Sequence, residues 1–176
     1  LEGDFGGCRK VNEYIAGGEG TAEQAVSEIG FAIYRTEEMA ALIDWMRTLN
    51  ASRRESDQIR FYGFDMQRYD HNKEGLFAIL DAAGSNLAAE YKILLSPLTD
   101  DTMYNVDRPV LTTTLEQLES LNGRMQAEQA AITAATSEAD YMLAAHYADT
   151  LLQNTRLRLA GTDYGTLRDG FMAEQV

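Results

Sequence analysis

The stretch Thr36–Gln67, TEEMAALIDWMRTLNASRRESDQIRFYGFDMQ, decides how the rest of the chain is read. Thr36 is a helix-capping residue, and Glu37 and Glu38 fall in the first turn, where the helix dipole favours anions. Met39, Leu42, Ile43, Met46 and Leu49 recur at helical spacing and predict one apolar face flanked by Trp45, with Asp44 and Arg47 on the opposite, solvated side. Asn50 stops the helix, and Arg47, Arg53 and Arg54 sit near its negative end. Ile59–Phe64 is short, aromatic and almost continuously apolar, as expected of a strand covered on both faces. Asp65 follows at its carboxyl end, the edge of an α/β sheet where ligands and catalytic groups collect. Such a strand needs neighbours, and the sequence supplies almost none.

Around this stretch the chain reads as helices. Gly3–Gly7 is expected as a loop and Cys8–Ala16 as a short helix ended by Gly17 and Gly18. Thr21 caps a second helix to about Ile29. After Met66–Asp70, a helix capped by Asp70 or Asn72 carries Leu76, Phe77, Ile79 and Leu80; another starts at Ser85 and stops at Ser96-Pro97. Leu98–Asn105 is a polar linker in which Asp100 and Asp101 read as solvated. Asp107 opens a long helix through Ile132, bent at Gly123, and Thr136 or Ser137 opens a second to about Ala160, predicting an antiparallel αα-hairpin. A last helix runs from Thr162 or Asp163 through Met172. The fold class is therefore mainly α: a helical bundle with a long antiparallel hairpin and one or two short strands of an incomplete α/β core.

Composition bounds the function. In 176 residues, 45% apolar and 24% charged, there is enough sequence for one domain with a real core. A net charge of −13 argues against nucleic acid, because neutralising phosphates needs clustered Lys and Arg. No apolar run reaches the ~18 residues of a membrane span, and no signal peptide opens the chain. The single cysteine, Cys8, rules out an internal disulfide and reads as a plain thiol, consistent with a cytoplasmic setting. The two histidines, His71 and His146, fall in no metal or nucleophile signature, so neither a metal nor a cofactor is expected. GGEG lacks the strand and the GK[ST] of a phosphate loop and reads as a turn.

Taken together, Val11–Ile15 (VNEYI), Thr36–Asn50, Ile59–Gln67 and Arg168–Val176 (RDGFMAEQV) resemble, in order and spacing, the erythromycin esterase family. The opening LEGD resembles the end of that family's second core strand, where a glutamate belongs to the active site. On its own Glu2 is a surface carboxylate; the resemblance makes it the catalytic candidate, with Asp65, Gln67 and Arg168 as cleft-lining groups. The implied chemistry is metal-independent attack of a histidine-activated water on an ester or lactone. The family's GE-x-THG and HN-x-H segments would lie before Leu1 and beyond Val176. The resemblance therefore implies the central part of a larger hydrolase, inactive in isolation.

On this reading residues 1–67 associate with the core, residues 68–163 form the bundle, and residues 164–176 return to the core, all within one domain. The expected partner is a small-molecule ester or lactone, with no nucleic acid and no membrane. The alternative is a non-catalytic helical binding or oligomerisation module, dimerising through exposed core edges.

Overall fold

The computed structural model describes residues 1–175. Among them lie nine α-helices and no sheet: α1 (Phe5–Ile15), α2 (Ala22–Glu28), α3 (Glu37–Asn50), α4 (Asp70–Ala82), α5 (Asn86–Leu94), α6 (Arg108–Ala127), α7 (Gln129–Ala135), α8 (Glu138–Leu159) and α9 (Tyr164–Glu174). The mainly α class read from the sequence is the class observed. No described helix is long and apolar enough to cross a membrane. The chain divides into two compact units, Leu1–Asp65 and the residues from Met66 on.

In the first unit, α1, α2 and α3 pack around Cys8, Val11, Ile15, Ala25, Val26, Ile29, Ile43 and Met46. The helix starts are chemically ordinary. Thr36 Oγ1 accepts from the Met39 amide at 3.2 Å, and Thr21 forms a reciprocal capping box with Gln24. Of the stretch expected as a loop, Phe5–Gly7 is instead the first turn of α1. Asp4 caps it, its carboxylate accepting from the Gly7 amide at 2.6 Å. The glycines there serve close packing: a Cβ on Gly7 would stand 1.8 Å from the Glu28 carbonyl oxygen.

The face assigned to α3 also shifts. Ala40, Ile43, Met46 and Asn50 are its buried residues, while Leu42 (43% exposed) and Trp45 (56%) face out. Arg47, expected in solvent, donates to the carbonyls of Gly18 at 2.7 Å and of Tyr14, and lies 4.4 Å over the Tyr14 ring. A guanidinium there meets the negative end of α1, which a solvated position would leave uncapped.

The strand expected at Ile59–Phe64 does not form: residues 58–64 carry no regular secondary structure, and Asp4 and Asp65 make an isolated parallel bridge. Side-chain amides stand in for strand neighbours. Asn12 accepts from the Phe61 amide at 2.7 Å and donates to the Phe61 carbonyl at 2.6 Å. Asn50 does the same for Ile59, at 2.9 and 3.0 Å, and also reaches the Ile15 carbonyl at 3.3 Å. Both asparagines are buried.

In the second unit, α8 packs against α4 and α6 and buries residues almost all round, among them Tyr141, Ala144, Tyr147, Leu151, Leu152 and Leu157. The predicted hairpin is present, but its first arm breaks at Glu128 rather than bending at Gly123. Glu128 leaves helical geometry, and its carboxylate accepts from Ser85 Oγ at 2.8 Å. Asp100, expected to be solvated, accepts from the Tyr69 amide at 2.6 Å at the start of α4 and pairs with Arg68 at 3.1 Å. It supplies from a distant loop the cap that neither Asp70 nor Asn72 provides.

Candidate functional site

The carboxyl end of the extended segment and the residues before α1 form the site in the first unit. Residues 1–4 run parallel to 62–65: the Phe64 amide donates to the Leu1 carbonyl at 3.2 Å, Asp65 to Gly3 at 3.0 Å, and Phe5 to Asp65 at 3.0 Å. The two backbones meet closely because Gly63 has no side chain. A Cβ there would lie 2.3 Å from the Gly3 oxygen and 2.6 Å from that of Asp4. Leu1 and Glu2 are exposed, whereas Gly3 and Asp4 are buried against the neighbouring segment.

Three carboxylates therefore share one corner, in different environments. Glu2 is exposed, whereas Asp4 and Asp65 are buried at 1% and 0% exposure. Asp4 is committed to capping α1. Asp65 is fixed through its backbone on both sides of the bridge. Cys8 sits below this corner, fully buried, and its thiol is pushed up to about 12, first by burial and then by the Asp4 charge. It stays protonated at neutral pH and is no nucleophile there.

Gln67 and Arg168 belong to the second unit. Gln67 is half-buried, and its carbonyl accepts from Arg158 Nη2 at 3.1 Å. Arg168 is half-buried on α9; Val176, the last residue of the RDGFMAEQV segment, lies outside the described residues.

Sequence reasoning passed over three polar residues that order these parts. Asp4 was hidden in a glycine-rich run, although an aspartate just before a helix is a capping signal. Asn12 lay unremarked inside VNEYI. Arg158 gathers the polar interior of the second unit: Nε donates to Asn154 Oδ1 at 3.1 Å, and the guanidinium lies 4.7 Å from the Tyr104 ring. Nearby, the buried Tyr69 hydroxyl shares a hydrogen bond with Thr155 at 3.2 Å, and burial pushes that phenol up to about 12. Both histidines are occupied locally. His71 Nδ1 lies 3.3 Å from Glu74, and His146 is held below its usual pKa by burial. Among the described residues no three His, Cys, Asp or Glu side chains are grouped to hold a metal ion.

The fold is shared by longer proteins. A solved succinoglycan biosynthesis protein superposes with a TM-score of 0.77 at 20% identity, covering 99% of this chain and 43% of that one. A solved Bacillus cereus protein gives a TM-score of 0.82 at 19% identity, covering 99% and 44%. The chain thus spans less than half the length of these structures, and identities this low speak to fold alone. No curated protein matches the sequence. The family model described as erythromycin esterase matches residues 1–176, the whole sequence, and the chain belongs to that family.

Proposed function

We propose that this chain is part of a hydrolase that opens an ester or lactone by attack of a histidine-activated water, and that Glu2 is the carboxylate orienting that histidine or water. The carrying observation is the setting of Glu2: an exposed carboxylate on a backbone clamped by the parallel bridge and the Gly63 contact. An orienting group must hold its geometry, and a carboxylate beside a histidine keeps the ring in the tautomer that accepts a proton from water. No cofactor enters this scheme. Asp65 holds the Gly3 carbonyl, next to Glu2, from the neighbouring segment, and Gln67 and Arg168 are assigned to substrate contact in the whole protein.

The test is Glu2→Gln in a protein that includes the family's histidine segments, assayed on lactone and simple ester substrates. The expected result is a fall in kcat on the order of 10²–10⁴ with unchanged thermal unfolding. A kcat within about threefold of the parent removes Glu2 from the mechanism. The 176-residue chain alone is expected to show no hydrolysis above buffer.

A second reading, a non-catalytic oligomerisation module, is favoured by Leu42 and Trp45, which lie three residues apart on the outer face of α3. Sedimentation equilibrium of the parent and of Trp45→Glu decides it: a dimer lost in the variant supports the module, and a monomer in both removes it.

A further inference from the structure

Glu2 stands at the centre of a turn whose geometry its neighbours set. The Gly3 amide donates to the Leu1 carbonyl at 2.8 Å, which closes a three-residue γ-turn about Glu2. No non-glycine residue among those described has a positive φ, so the turn is the inverse form, common at strand ends. The same Leu1 carbonyl accepts from the Phe64 amide at 3.2 Å, and the Leu1 nitrogen donates to the Tyr62 carbonyl at 3.1 Å, so Leu1 lies opposite Gly63. The amide and carbonyl of Asp65 place it opposite Asp4 in the same way. Between these pairs the chain advances three residues from Leu1 to Asp4 but two from Gly63 to Asp65. The surplus residue is taken up at Glu2 and Gly3, as in a β-bulge, which re-aims a side chain.

The turn rests on the end of α2. The Asp4 amide donates to the Ile29 carbonyl at 2.9 Å, and a Cβ on Gly3 would stand 2.9 Å from Ile29 Cγ2 and 3.1 Å from Cys8 Sγ. Both neighbours are fully buried, and the Ile29 methyl hangs on a branched, stiff Cβ. Neither can swing aside, so a methyl group at position 3 moves the turn itself.

We propose that Gly3 is a positioning residue: by closing the γ-turn against Ile29 it aims the Glu2 carboxylate. This rests on the reading of Glu2 as the orienting carboxylate. Gly3 has no side chain to offer the reaction; it acts through the direction of the Glu2 Cα–Cβ bond.

The test uses a protein that includes the family's histidine segments, with Glu2→Gln, Gly3→Ala, Ile29→Leu and the double variant Gly3→Ala/Ile29→Leu. Leucine conserves the volume of Ile29 but carries no methyl branch on Cβ, so it relieves the contact at position 3. Gly3→Ala should lower kcat about ten- to a hundredfold with KM within about twofold of the parent. The double variant should recover kcat to within about threefold of Ile29→Leu, although its Tm stays below that of the parent. A purely structural role for Gly3 would instead make kcat follow Tm. Parent-like kcat in Gly3→Ala beside an impaired Glu2→Gln overturns the proposal and leaves the hydrolytic reading standing. So does a double variant that stays as slow as Gly3→Ala. Parent-like kcat in Glu2→Gln overturns both. Where Gly3→Ala alone does not fold, the double variant is compared with Ile29→Leu: a folded double variant slowed by about tenfold or more overturns the proposal, and one within about threefold supports it.

Discussion

Replacing Asn12 by alanine removes both hydrogen bonds that hold Phe61 in the extended segment, those at 2.7 and 2.6 Å. Each is worth about 1 kcal/mol net, and leaving a buried backbone group unmet costs about 1–3 kcal/mol. Phe61 is half-buried, so water satisfies part of what is lost. The expected destabilisation is therefore about 2–4 kcal/mol, or roughly 5–15 °C in Tm for a chain of this length. Urea unfolding followed by circular dichroism measures it, with the slope checked for constancy between parent and variant. Asn12→Asp sharpens the test. The ionised carboxylate of that variant still accepts from the Phe61 amide but faces the Phe61 carbonyl with a second acceptor, so at neutral pH it should be no better than alanine. Burial raises the folded-state pKa of the introduced carboxyl above its unfolded value. Its share of stability is then complete below the unfolded pKa, ~3.9, and is lost as pH rises through the folded pKa. This variant should gain on the parent as pH falls. An Asn12→Ala cost below about 0.5 kcal/mol would refute the view that this amide replaces a strand neighbour.

Gly63→Ala places a methyl group 2.3 Å from the Gly3 oxygen, against backbone that cannot swing aside, and should cost more than about 3 kcal/mol or prevent soluble expression. Asp100→Ala should lower stability by about 1–2 kcal/mol through loss of the α4 cap and the Arg68 pair, with Asp100→Asn recovering the capping part, both read by urea midpoints. Cys8 should resist thiol reagents at pH 8 until the chain unfolds. Because its folded pKa is raised from 9.0 to about 12, its contribution to stability is complete below pH 9 and falls as pH rises toward 12; Cys8→Ser should flatten that part of the pH profile.

What the sequence disclosed and concealed follows from the range of the interactions. Helix starts were legible because capping is local: Thr21, Thr36, Ser85 and Ser137 each accept a hydrogen bond from within their own first turn. The α4 start was not, because its capping carboxylate, Asp100, lies about thirty residues away in a loop whose composition reads as solvent-exposed. Apolar periodicity placed the core helices but not the rotation of α3. Ala40 and Asn50 belong to the buried face and carry little hydropathy signal, whereas Leu42 and Trp45 carry much and face out. Arg47 was assigned to water because charge pattern alone cannot reveal that three carbonyls of another helix end lie within its reach.

The extended segment Ile59–Phe64 carries a consequence for the site. Its composition demands partners on both edges, and within the first unit asparagines from α1 and α3 meet part of that demand at Phe61 and Ile59, while residues 1–4 meet the rest near Asp65. A helix-borne amide fixes one register, since a one-residue slip would present the opposite side of the segment to Asn12. Register in turn places the backbone that carries Glu2: Glu2 is exposed, Gly3 accepts from the Asp65 amide, and Gly63 lies against the Gly3 and Asp4 carbonyls. Loosening the clamp should therefore reduce any activity that depends on Glu2 before it unfolds the chain. In a protein carrying the family's histidine segments, Asn12→Ala assayed well below its Tm should lose kcat with little change in KM, because an orienting group displaced by about 1 Å no longer serves the transition state. Full kcat in a variant that has lost the Phe61 contacts would separate the clamp from the chemistry and return Asn12 to a purely structural role.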